Sequence, residues 1–291
     1  MAAASPHISI SAEHLFSIGG LHFTNSMVTS LIVSGLLITF ALWVRASLKN
    51  TDRPTGVQNV AEWIIEGLTS MVHAVTGDKK KTDTFFALIA TFFLFILMNN
   101  WFGLLPGVGT VGCRHAKGEA CTGLELSMIS APNPVPAAYA AEPATSEGSD
   151  SHGSSESYEV FVPYLRAGTA DLNMTLALGM LSVGAVQFFG FKFLNLSYLS
   201  KFFNFTSPIH FFVGILELIS EFSKILSFAF RLFGNVFAGE VLLTVISFIA
   251  AIIAPMPFYG LELFVGFIQA LVFSMLSVVL FNMATASHDE H

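Results

Sequence analysis

The run ELISEFSKILSFAFRLFGNVFAGE, Glu217 to Glu240, sets Glu217, Glu221, Lys224, Arg231, Asn235 and Glu240 among strongly apolar neighbours. Ionisable groups surrounded by hydrocarbon are expensive and mark a path for ions. On a helix turning 100° per residue, the first five fall within about 80° of one another. Glu240 lies about 180° around from Arg231 and about 13 Å along the axis. One stripe therefore carries the arginine, and the later glutamate faces a different neighbour. Glu221 and Lys224 are spaced to pair at i, i+3. Arg231 keeps its charge at any working pH, and no acid lies one turn away at Ser227, Phe228, Gly234 or Asn235. Its counter-ion must come from another helix or another chain. Glu262 and Gln269 stand seven residues apart, on one face of a later helix. Glu262, near the end of its run, also reads as simply solvated, whereas Gln269 is deep enough to need a hydrogen bond to another helix.

These residues need helices long enough to hold them. The apolar run Asn25 to Val44 is about twenty residues, enough for a hydrocarbon core of ~30 Å. It is followed by Arg45, Lys49 and Arg53. Thr55 to Thr76 mixes Trp63, Ile64, Leu68, Met71, Val72 and Val75 with Glu62, Glu66 and His73, the pattern of an amphipathic interfacial helix. Lys79, Lys80 and Lys81 come next, then a second span over Phe85 to Leu105, stopped by Pro106. Residues 107–168 are rich in Pro, Ala, Ser and Glu, the composition of a mobile polar loop. A third span is expected over Leu172 to Phe193. Ile209 to Ala254 contains no proline and reads as helix throughout, about 69 Å if continuous. It is either two spans broken near Gly234 or one steeply tilted helix. Pro255 and Pro257 are expected to end it, before a last span over Phe258 to Met283.

Composition sets the class. The 291 residues are 53% hydrophobic and only 11% charged, with a mean hydropathy of +0.68 and 30 phenylalanines. Soluble domains carry about 25% charged residues. A formal net charge of −7 leaves no basic footprint for nucleic acid. There is no GxxxxGK[ST] loop, so no nucleotide site is expected. Cys113 and Cys121 are too few for a disulfide scaffold or a structural zinc site, although the oxidising side would permit one disulfide between them. His115 and His152 lack the spacing of metal ligands; neither metal nor cofactor is expected. Met1 to Gly20 carry no Lys or Arg, so the first span is expected to direct insertion itself. Arg45, Lys49, Arg53, Lys79 to Lys81, Lys192 and Lys201 can share the cytoplasmic side. That puts the N-terminus and the 107–168 loop outside and, with a one-way long helix, the C-terminal SHDEH inside.

RLFGNVFAGE, Arg231 to Glu240, resembles the signature of subunit a of F-type ATP synthases. LMNNWFGLLPG (Leu97 to Gly107), TADLNMTLALG (Thr169 to Gly179) and IQALVFSMLSVVLFNMA (Ile268 to Ala284) resemble further segments of that family. The likeness covers nearly everything except 107–168. It implies an all-α membrane protein of about five membrane-embedded helices, including a long tilted helical hairpin, plus one cytoplasmic interfacial helix. Residues 1–291 would be one membrane domain with 107–168 inserted in it. The chain would be the static, non-catalytic half of an ion-driven motor in a bacterial inner membrane, with c-ring subunits, peripheral-stalk b subunits and membrane lipid as partners. Arg231 would face the c-ring. Glu240, Asn235 and Gln269 would belong to two aqueous half-channels passing protons to and from ring carboxylates. Glu217, Lys224 and Ser227 match polar positions earlier in the long helix, and Glu262 falls where other members often carry His.

Two features depart from that family: MNNWFG has asparagines where some members carry aspartates, and the outer loop is long. A self-contained secondary transporter, with Arg231 as an anion site, is the main competing reading. Transporters often show internal repeats and broken helices; this sequence shows no repeat between its halves. A non-transporting scaffold would have to bear the cost of Arg231, Glu240 and Glu262 for structure alone.

Overall fold

The computed structural model describes residues 14–18, 21–47, 56–105, 108, 111–116, 125–126, 159–195, 198, 208–249 and 254–286. Six α-helices occupy them: α1 (Asn25–Ser47), α2 (Val57–Thr76), α3 (Lys79–Gly103), α4 (Leu172–Leu194), α5 (Pro208–Ile249) and α6 (Pro255–Ala284). All except α2 are long and apolar enough to cross a membrane. The chain is therefore a multi-pass, all-α membrane protein. Two small antiparallel sheets sit outside the helices, β1 (His14–Ile18) with β2 (Leu21–Thr24), and β3 (Val111–Ala116) between β4 (Glu125–Leu126) and β5 (Glu159–Pro163). Composition gave no sign of these strands. Cys121 and His152 lie outside the described residues, as does the C-terminal tail.

The helices begin and end for local reasons. Gly77 closes α2 in the left-handed region (φ 65), its N–H reaching the His73 carbonyl at 2.9 Å. Asp78 then caps α3 by accepting from Lys80 N–H at 3.0 Å. The lysine cluster consequently forms the first turn of α3. Asp171 caps α4 through Asn173 N–H at 3.0 Å. Helix α5 is continuous over 42 residues, about 63 Å, so the break considered near Gly234 does not occur. Among the described residues α5 ends at Ile249, and Pro255 opens α6. Proline suits a first helical turn, where its missing N–H has no partner to lose.

Between lipid-facing helices there is little hydrophobic drive, so shape and hydrogen bonds decide the packing. Phe85 of α3, Phe189 of α4 and Phe281 of α6 form an edge-to-face triangle, with centroids 4.9, 5.1 and 5.5 Å apart. Phe273 of α6 meets Phe92 of α3 at 5.6 Å and Phe228 of α5 at 4.9 Å. Ser182 and Ser277 bond across α4 and α6 at 2.8 Å. Helices α4 and α5 approach closely at Gly179, where a β-carbon would stand 2.9 Å from the Ile225 carbonyl. Amphipathic α2 turns Ala61, Leu68 and Val72 inward and leaves Trp63 uncovered.

Polar side chains tie the other end. Asn100 Nδ2 donates to the Gly266 carbonyl at 3.1 Å, and its Oδ1 accepts from Thr169 at 2.7 Å. Ser30 Oγ donates to Asn99 Oδ1 at 3.3 Å. Ser26 Oγ donates to Asp171 Oδ2 at 2.8 Å, and Asn25 Nδ2 reaches the Pro163 carbonyl at 3.3 Å. Helix α1 is thus held mainly by its first two turns, where Asn25, Ser26, Thr29, Ser30 and Val33 are buried.

Candidate functional site

The absence of proline after Pro208 lets α5 carry every polar group of the Glu217–Glu240 run on one rod. Its covered side repeats through Gly214, Glu221, Phe228, Leu232, Val236 and Gly239. Ser227 and Arg231 are on the uncovered side. Among the described residues, Arg231 has no hydrogen-bond or ion-pair partner, as its spacing from the acids of its own helix requires.

Four residues downstream, Asn235 Nδ2 donates to Gln269 Oε1 of α6 at 2.5 Å. Gln269 is 4% exposed, and its amide nitrogen has no partner among the described residues. The hydrogen bond expected of Gln269 is therefore made with the residue one turn beyond the arginine.

Glu240 faces away from Arg231 and meets Arg166. Arg166 Nε lies 3.0 and 3.1 Å from Glu240 Oε1 and Oε2, and Nη2 lies 3.0 Å from Oε2. Arg166 is 7% exposed against 38% for the Glu240 side chain. Its backbone N–H is held by Thr29 Oγ1 at 3.3 Å. Sequence reasoning placed Arg166 in the polar loop and gave it no role. Its signal was being the single Lys or Arg between Lys117 and Lys192, just before a membrane-length helix. Next to it, the Glu262 carboxylate of α6 rests directly on the α-carbon of Gly239, leaving no room for a β-carbon. The structure thus gathers Glu240, Arg166, Gly239 and Glu262 in one place, about 13 Å along α5 from Arg231.

The other end of α5 holds Glu217, Glu221 and Lys224. Glu221 and Lys224 form the i, i+3 pair at 2.8 Å. Glu217 is half-buried one turn earlier. Tyr198, between α4 and α5, was also missed from the sequence. It is 2% exposed, its ring lies against Gly190, and its hydroxyl donates to Gln187 Oε1 at 2.9 Å. Burial pushes its phenol up to about 12, helped by the charges of Glu221 and Glu217 and opposed by the Gln187 bond.

The asparagines of MNNWFG, Asn99 and Asn100, are buried and bonded to α1, α6 and the turn before α4. They fasten helices together.

So α5 carries a lone cation on its open side, with an acid cluster towards either end. Residues 27–282 match the family model described as ATP synthase A chain. The chain is also 29% identical over 266 residues to "ATP synthase subunit a" of Gloeobacter violaceus, covering 91% of this chain and 85% of that one.

Proposed function

The chain belongs to the ATP synthase A chain family, and from that premise we propose that it is the static, ion-conducting subunit of an F0 sector. In this reading Arg231 faces a ring of c subunits, and two aqueous half-channels lead protons to and from the ring carboxylates. The observation that carries it is Arg231 itself, uncovered on α5 and without a counter-ion among the described residues. A cationic group built into an apolar surface needs an acid brought by a partner. A ring carboxylate meets that need, and the nearby guanidinium favours its ionised form and hence loss of its proton. The same fixed charge opposes direct passage of a proton between the half-channels. A membrane potential supplies about 2.3 kcal/mol per charge per 100 mV, which biases the direction of rotation.

Glu240 and Glu262 are assigned to one half-channel. Glu217, Lys224 and Ser227 are assigned to the other. Asn235 and Gln269 brace the surface beside the arginine. Arg45, the Lys79–Lys81 turn and Lys192 all belong to one end of the helix bundle, which supports placing that end in the cytoplasm of a bacterial cell, at the inner membrane. The N-terminus and residues 107–168, within a single membrane domain, are then outside. Peripheral-stalk b subunits and lipid cover remaining apolar faces, and nucleotide chemistry belongs to other subunits.

Replacing Arg231 by Ala in the intact complex tests the reading. Assembly should persist while ATP-driven proton pumping into vesicles is lost. Pumping that survives would remove the role given to the arginine. Solute transport by the purified chain alone in liposomes would favour the transporter reading instead.

A further inference from the structure

Glu221 is 6% exposed and lies on the covered side of α5, in register with Gly214 and Phe228. Only half of its carboxylate is engaged. Oε1 accepts from Lys224 Nζ at 2.8 Å, while Oε2 is buried with no partner among the described residues. A buried acceptor without a donor costs about 1–3 kcal/mol. An ion pair kept purely for structure would leave its spare oxygen in solvent or give it a donor. A proton bound to Oε2 takes the negative charge off that unpartnered oxygen, and a neutral carboxyl is cheaper to bury than a carboxylate. Among the described residues, the titratable groups around it are Lys224 and Glu217 on α5 and Tyr198 from the segment after α4. Tyr198 senses both glutamate charges, and its phenol is pushed up to about 12, burial being the larger cause.

We propose that Glu221 is a proton-holding carboxylate of the ion path, a relay between the aqueous end of α5 and Arg231. This rests on the motor reading given above. Water delivers a proton, an O–H bond forms at Oε2, and the ion pair becomes a neutral acid beside the Lys224 ammonium. When that bond breaks, the proton passes to the next acceptor and the pair is restored. Nothing is oxidised or reduced.

The test uses membrane vesicles containing the whole complex, with a pH-sensitive dye reporting both ATP-driven pumping and passive proton conduction after removal of the catalytic sector. Glu221→Gln should slow conduction at least about tenfold, the scale of losing a positioned proton carrier. Glu221→Asp should recover most of it with a displaced pH profile, which a merely structural pair would not produce. Conduction by Glu221→Gln within about twofold of the parent, small against that scale, overturns the proposal. Wild-type conduction by the neutral pair Glu221→Gln/Lys224→Met does the same. If Glu221→Gln does not reach the membrane, the neutral pair is compared with Lys224→Met alone: equal conduction overturns the relay, and a further tenfold loss, about that of a missing proton carrier, supports it. Arg231→Ala, run in parallel, separates the two claims. If it still pumps, the motor reading has failed; if it does not, a normal Glu221→Gln condemns only the relay.

Discussion

Gly239→Ala isolates one contact and tests whether the Glu262 carboxylate must stay where it is. The added methyl would occupy space now held by both oxygens and the carboxyl carbon of Glu262. Ordinary contact lies at about 3.5–4.0 Å, so the carboxylate has to retreat by roughly 1 Å or more. It can do so because it is the end of a flexible side chain. Forcing Glu262 off its rotamer costs about 0.5–1.5 kcal/mol. Replacing glycine by alanine inside a helix returns about 0.5–1 kcal/mol. The two nearly cancel, so the melting temperature of the purified complex should barely move. Proton transfer behaves differently, since a misplacement of about 1 Å can cost on the order of a hundredfold. Dye-monitored ATP-driven pumping should fall by about tenfold to a hundredfold at unchanged assembly. Shortening the acid in Gly239→Ala/Glu262→Asp should restore part of it. Normal pumping by Gly239→Ala would refute the claim that Glu262 works from this position. A large loss of stability would show that the helices, not the carboxylate, had moved.

Other outcomes follow from neighbouring contacts. Glu240→Ala takes a bidentate carboxylate from the Arg166 guanidinium and should destabilise the complex by about 1.5–3 kcal/mol, the scale of hydrogen bonds to a charged group. Arg166→Met leaves a partly solvated glutamate and should cost about 1 kcal/mol. The double variant should be better than additive in thermal unfolding, and additivity would deny the coupling. Gly190→Ala places a methyl 2.6 Å from ring atoms of Tyr198; the ring must move, and about 1–3 kcal/mol of stability should be lost on calorimetry. The Tyr198 phenol, raised from 10.0 to about 12, is neutral when folded while the unfolded phenol ionises near pH 10. Its contribution is complete below about pH 10 and disappears as pH rises towards 12. Tyr198→Phe should flatten this part of the stability–pH curve, as followed by unfolding between those limits.

The fold was legible where apolar length decides it. Each of the five long helices coincides with an apolar run, because a membrane span leaves backbone groups no other way to be satisfied. The Glu221–Lys224 pair and the isolation of Arg231 were likewise visible, both being matters of spacing along one helix. The continuity of α5 at Gly234 needed the structure. Nothing lies within 4 Å of the β-carbon that glycine lacks, and its intrinsic cost of about 1 kcal/mol is too small to break a helix. The prolines at 255 and 257 mark a boundary, but a pattern alone does not say which helix they serve. Arg166 was hidden because its partner is 74 residues away and its flanking composition is that of a loop. The sequence marked Asn99 and Asn100 as asparagines where some members of the family carry aspartates. Only their hydrogen-bond partners reveal fastening.

The fastening of α1 has a consequence for how the chain is made. Ser26 bonds to Asp171, 145 positions later, and Asn25 bonds to the carbonyl of Pro163. At about 5–20 residues per second of synthesis, roughly 7–30 s pass between the emergence of the two ends of that bond. During this time α1 sits in the bilayer with Asn25, Ser26, Thr29 and Ser30 awaiting their final neighbours. Helix α1 is therefore seated only after α3 and the segment leading into α4 have followed it. The ribosome's pace and the insertion machinery that shelters those side chains become part of what this sequence requires to fold.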